Sequence, residues 1–168
     1  MAGAAKPPPW RRGWILPGRI RTCGSASVWP GRSAAVCDNQ RMSTLEQQMP
    51  GAAHSEVGGL VIDEFEAGTG RIKRVIYPPG WRWTTDMQPV TGGERCMHAH
   101  VGFLVQGRMM VEYADGCREA YRAPAAVLVP PGHVGWVEGD EAAVLVQYDC
   151  GPETVDVLGL PAEHRHDV

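Results

Sequence analysis

The residues best suited to do chemistry lie between Glu94 and His100, and again at His133. Glu94, Cys96, His98 and His100 alternate with Arg95, Met97 and Ala99, so an extended backbone would project all four from one side. With His133 added, three imidazoles, a thiol and a carboxylate could converge. Such a donor set suits zinc, iron, nickel or copper and is too rich in nitrogen and sulfur for magnesium. A metal left open on one side could activate water, polarise a carbonyl or bind oxygen. The competing readings are structural: a histidine near a strand end often only donates to a backbone carbonyl, and a buried free cysteine is more often an inert small hydrophobe than a nucleophile.

His133 follows Pro130-Pro131-Gly132 and precedes Trp136, so its ring could line a pocket as donor, base or ligand, or could cap the turn. Trp81, Trp83 and Trp136 could wall a pocket for an apolar ligand or pack into the core. Phe103 and Tyr113 are expected in the core, and Glu112, Glu119, Glu138, Asp140 and Glu141 on a solvated face. His164-Arg165-His166 is expected to fray with its terminal segment. No glycine-rich phosphate loop and no nucleophile elbow occurs in the sequence.

The elements that must position these residues are short. Apolar runs separated by turn residues predict eight to ten strands and almost no helix. They fall at Gly58 to Phe65, Arg71 to Tyr77, an alternating Trp81-Arg82-Trp83, His98 to Val105, Arg108 to Tyr113, Cys117 to Arg122, Ala125 to Val129, His133 to Val137 and Ala142 to Gln147. Gln106-Gly107, Ala114-Asp115-Gly116 and Pro130-Pro131-Gly132 supply turns between them.

The chain has 168 residues, 43% of them hydrophobic, enough for one domain with a core of ordinary size. Its five cysteines, Cys23, Cys37, Cys96, Cys117 and Cys150, are irregularly spaced with no CxxC pair, which argues against a disulfide framework and for a reducing, cytoplasmic setting. Residues 1–41 carry seven basic residues and one acid, whereas the remainder is acidic. The basic residues are scattered among proline and glycine rather than clustered, so neither nucleic acid nor membrane is an expected partner. An organellar transit peptide competes with the cytoplasmic reading, although its helix would be broken by Pro7-Pro8-Pro9, Pro17 and Pro30. The expected organisation is a disordered basic extension over residues 1–41, a linker over 42–56, a β domain over 57–150 and a tail over 151–168. Met42-Ser-Thr-Leu-Glu reads as a fresh start, with Met42 the expected initiator.

The stretch Phe103-Leu-Val-Gln-Gly-Arg-Met-Met-Val, then Asp115-Gly116, then Ala126-Val-Leu-Val-Pro-Pro-Gly-His resembles the cupin superfamily, in particular its small single-domain, type-2-like members. The resemblance implies an all-β double-stranded β-helix, or jelly-roll, barrel with one pocket. It also implies a metal held by His98, His100 and His133, with Glu94 and Cys96 as alternates, the ion being iron, zinc, nickel, manganese or copper. This sequence departs from the superfamily's metal motifs: Gly107 follows His98-Ala99-His100 too soon, no acid stands at Leu104 or Val105, and Gly135 holds the usual position of the last histidine. The expected function is binding of a small organic molecule in a pocket lined by Trp81, Trp83, Cys96, His100, His133 and Trp136, with or without a metal. The alternatives are a metal-dependent enzyme of the dioxygenase or isomerase kind and a non-catalytic interaction or sensor module. Pairing as a homodimer is expected in each case.

Overall fold

Alternation of inward apolar and outward polar side chains, cut by glycine and proline turns, folds residues 45–166, the residues that this computed structural model describes, into nine strands. They are β1 Ala53–Val57, β2 Leu60–Ala67, β3 Gly70–Tyr77, β4 His100–Gln106, β5 Arg108–Tyr113, β6 Arg118–Arg122, β7 Ala125–Val129, β8 His133–Val137 and β9 Ala143–Asp149. A π-helical turn, Trp83–Met87, and a short helix α1, Gln88–Thr91, lie between β3 and β4. A 3-10 turn, Gly151–Glu153, and helix α2, Thr154–Leu158, follow β9.

The strands form a six-stranded antiparallel sheet in the order β1-β2-β3-β9-β4-β7 and a three-stranded sheet in the order β6-β5-β8. Because side chains alternate across a strand, the inner face of the large sheet collects Ile62, Val75, Tyr77, Leu104, Val127 and Leu145, which meet Met109 and Val111 of the small sheet. Leu104 and Val111 are almost fully buried there.

Two glycines let the strands close. Gly107 takes φ +77°, and a Cβ on it would lie 2.5 Å from the Ala142 carbonyl oxygen, so β4 can turn into β5 beside β9 only without a side chain. Gly102, in mid-strand, would place a Cβ 2.0 Å from the Val146 carbonyl oxygen.

Several expectations change. Trp81-Arg82-Trp83 is not a strand: Arg82 makes an isolated bridge to Trp136, and Trp83 opens the π-helical turn. Gly58 belongs to the turn between β1 and β2 rather than to a strand. Strand β1 starts at Ala53, inside the segment read as linker, and residues 45–49 of that segment are tied down by Arg74, which donates to the Leu45 and Gln47 carbonyls, and by Asp63, which accepts from the Met49 N–H. Phe103 is 63% exposed instead of buried, because β4 turns its odd-numbered positions to the outer face of the large sheet, whereas Tyr113 is buried as expected. Glu119 stays partly exposed, as expected, but also accepts hydrogen bonds from the hydroxyls of Tyr113 and Tyr121. The expectations for residues 1–41, for Met42 and for Cys23 and Cys37 lie outside the described residues; Cys96, Cys117 and Cys150 are free. Among the described residues no helix is long and apolar enough to cross a membrane.

Candidate metal and ligand pocket

Cys96, His100 and His133 come together because two strand starts are stitched to one loop. The Cys96 N–H donates to the His133 carbonyl at 2.7 Å, and the Gly132 N–H donates to the Cys96 carbonyl at 2.8 Å, an antiparallel bridge that holds the residues before β4 against the start of β8. His100 opens β4 and His133 opens β8, and their ring centroids lie 5.1 Å apart. Cys96 Sγ is 3.7 Å from His100 Nε2. One ligand atom from each of the three residues lies within 4.8 Å of the other two.

Hydrogen bonds settle which nitrogen of each ring is free. His100 Nδ1 is 2.8 Å from Gln147 Oε1, and His133 Nδ1 is 2.8 Å from the Pro130 carbonyl oxygen. Both oxygens only accept, so both Nδ1 atoms carry the proton, which leaves the His133 Nε2 lone pair bare and turns the His100 Nε2 lone pair to the Cys96 thiol. An outer acceptor on the far nitrogen is how proteins orient a metal-binding imidazole. Burial, with the neighbouring His133 ring adding to it, lowers the His100 pKa to about 3, and burial lowers His133 to about 4. Burial also pushes the Cys96 thiol up to about 11. The trio is therefore uncharged at neutral pH, and a bound cation would displace the thiol proton. Two imidazole lone pairs and a sulfur within 4.8 Å of one another fit a transition metal.

The other expected residues divide. His98 lines the same pocket, but its Nε2 lies 3.5 Å from Asp149 Oδ2, so it pairs with a carboxylate instead of completing the trio. The reason is local: strand pairing begins only at His100, and the alternation assumed for Glu94 to His100 does not extend back through the unpaired residues 97–99. Glu94 is exposed in a bend and does not reach the pocket. Trp81 and Trp83 are buried and wall the pocket; the Trp81 indole N–H donates to the Gly58 carbonyl at 2.8 Å. Trp136 does not line it; its ring instead meets the guanidinium groups of Arg82 and Arg118, 5.5 and 5.9 Å from its centroid.

The pocket holds about 730 Å³, within the range of small-molecule sites. Its deeper wall is aliphatic and aromatic, whereas Arg71, Lys73, Arg95 and His98 make one side basic. Arg71 and Lys73 are committed to Asp149, at 2.9 and 2.7 Å, and to Glu64. Burial would raise the Asp149 pKa, but His98, Lys73 and the Gly151 N–H together hold it well below the usual carboxylate range. Arg95 has no carboxylate within ion-pair distance among the described residues, and the Trp83 indole N–H is buried without a hydrogen-bond partner among them. Gln147 and Asp149 escaped the sequence analysis. Their signal was a polar residue at the inward positions of an otherwise apolar last strand.

Two facing antiparallel sheets around one lined pocket, with the Gly107 turn, the Asp115-Gly116 turn and Pro130-Pro131-Gly132 in that order along the chain, make the jelly-roll barrel that the resemblance to cupins implied. No family model and no curated protein matches the sequence. Among solved structures the chain is similar to a cupin 2 conserved barrel domain protein from Salinispora arenicola CNS-205, at 16% identity and a TM-score of 0.43 over 67% of this chain and 93% of that one. It is also similar to the cupin domain of Schizosaccharomyces pombe Cnp3, at 14% identity and a TM-score of 0.42 over 67% of this chain and 78% of that one. A hydroxypropylphosphonic acid epoxidase from S. wedmorenis, solved with fosfomycin, is similar at 9% identity and a TM-score of 0.41 over 60% of this chain and 57% of that one. At such identities an activity has to be argued from this chain's own residues.

Proposed function

We propose that this protein binds a small organic anion with an apolar body in the barrel, next to a transition metal held by Cys96, His100 and His133. The observation that carries the reading is the pair of Nε2 lone pairs grouped with the Cys96 sulfur, each imidazole being fixed by a carbonyl acceptor on its other nitrogen. Arg95 offers the anion a positive charge that no carboxylate takes up, and the Trp83 N–H offers a buried donor. Trp81, Tyr77 and Leu145 give the apolar body a wall. His98 Nε2 lies 3.5 Å from Asp149 Oδ2 at the pocket side, where the two could exchange a proton with a bound molecule.

With three protein donors, a bound metal would keep an open position, as catalytic sites do, and could polarise a ligand oxygen or activate water there. That favours an enzyme over a purely passive binder as the second reading. The homodimer expected from sequence belongs to the same proposal, with the outer face of the large sheet around Ile72, Phe103 and Leu128 as the surface it would bury. The decisive experiment is metal analysis of the full chain, produced without a histidine tag, beside a His100→Ala/His133→Ala variant. Near-stoichiometric transition metal that disappears in the variant is expected; a folded wild type that takes up none after reconstitution would leave a metal-free binding pocket as the better account.

A further inference from the structure

A second cluster of metal-type donors lies outside the pocket, where residues 159–166 return to the β5–β6 turn. His164 stacks on Tyr113 with ring centroids 3.8 Å apart and planes 6° from parallel, so the segment expected to fray is docked. His166 packs edge-on against His164 at 4.9 Å. Cys117 closes the β5–β6 turn, its N–H held by Asp115 Oδ1 at 2.9 Å. One ligand atom from each of Cys117, His164 and His166 lies within 4.8 Å of the other two.

Two further observations point to an ion. His164 Nε2 is buried with no hydrogen-bond partner among the described residues, and a buried unsatisfied nitrogen is costly unless something binds it. His166 Nε2 lies 3.0 Å from Asp115 Oδ2, a carboxylate–imidazole contact of the kind that orients metal ligands from outside. The donors are one thiol and two imidazoles, the set that zinc takes and that calcium and magnesium do not.

We infer that Cys117, His164 and His166 bind a zinc ion, with Asp115 orienting His166, and that the ion pins residues 159–166 onto the end of the β5–β6 hairpin. Zinc binding releases the Cys117 thiol proton to solvent and leaves the oxidation state of the cysteine unchanged. The site lies beside the floor of the pocket, because Tyr113, which His164 covers, also meets the His133 ring at 6.4 Å. The inference does not depend on a metal in the pocket.

Cobalt(II) and zinc titrations of the full chain, produced without a histidine tag, test it in three variants. A Cys96→Ser/His100→Gln variant is expected to bind one equivalent of cobalt with a thiolate charge-transfer band, and Cys117→Ser added to it is expected to remove that band. Asp115→Ala is expected to weaken zinc by about 10–100-fold. Should the pocket variant fail to fold, peptide-resolved alkylation of the wild type replaces it: zinc is expected to protect Cys117 from iodoacetamide, and His164→Gln/His166→Gln is expected to abolish the protection. A folded pocket variant that binds no cobalt, or a Cys117 alkylated at the same rate with and without zinc, overturns the site. Loss of pocket metal alone, with Cys117 still protected, counts against the proposed function and not against this site.

Discussion

At His100 and His133 the chemistry turns on which nitrogen carries the proton, and a residue 47 positions away decides it for His100. Replacing Gln147 by Leu removes that acceptor while keeping bulk, so the ring is free to turn or change tautomer. Metal affinity is expected to fall by about 10–100-fold with the circular dichroism spectrum unchanged, measured by competition with a chromophoric chelator; an unaltered affinity would place the metal elsewhere. The same two rings set a pH dependence in the metal-free protein. Their folded pKa values, about 3 and about 4, lie below the unfolded value near 6.5, so the unfolded chain binds more protons in between. Stability is then full above about pH 6.5 and declines as the pH falls towards 4, by up to about 1.4 kcal/mol per pH unit for each ring. Urea midpoints at pH 7 and pH 5 read this directly, and a midpoint that holds or rises at pH 5 would mean that the rings are protonated in the fold.

Among the elements, β4 has the least room. Gly102→Ala would press a methyl group against the Val146 carbonyl, which cannot retreat without opening the β4–β9 ladder, and a loss of about 1–3 kcal/mol or more is expected in chemical denaturation. A wild-type denaturation curve for this variant would mean that the two strands are not packed at this register. On the other face of the large sheet, Arg74 of β3 is buried against Asp63 of β2 and holds the chain at Leu45 and Gln47. Arg74→Met would leave a buried carboxylate with only His54 and the Met49 N–H as partners. A loss of about 3 kcal/mol is expected, the low end for breaking a buried pair because those two contacts survive. Early proteolysis near residues 45–50 would accompany it.

For the molecule as a whole, the exposure of Phe103 and Leu128 on the face opposite the pocket is the feature a free barrel would be expected to hide. If copies pair through this face, Phe103→Lys should shift sedimentation from dimer to monomer while leaving metal content intact; an unchanged mass would exclude the face as the interface. The site lies between the two sheets, so pairing on the outside of the large one does not cover it.

The sequence by itself determined the strand rhythm, because period-two alternation and turn residues are local properties: β5, β7 and β8 run between the residues that the pattern indicated. It also brought His98, His100 and His133 forward as candidate donors, with Glu94 and Cys96 as alternates, since their donor types are unusual in an apolar barrel. It could not tell which of the alternating residues share a face, because residues 97–99 leave the ladder and turn His98 towards Asp149. Nor could it show that Trp136 faces away, that Phe103 is outside, or that His164 returns to Tyr113 and Cys117. Those facts depend on which face of each strand meets the opposing sheet and on contacts between residues far apart in the chain, and only the closed barrel decides them.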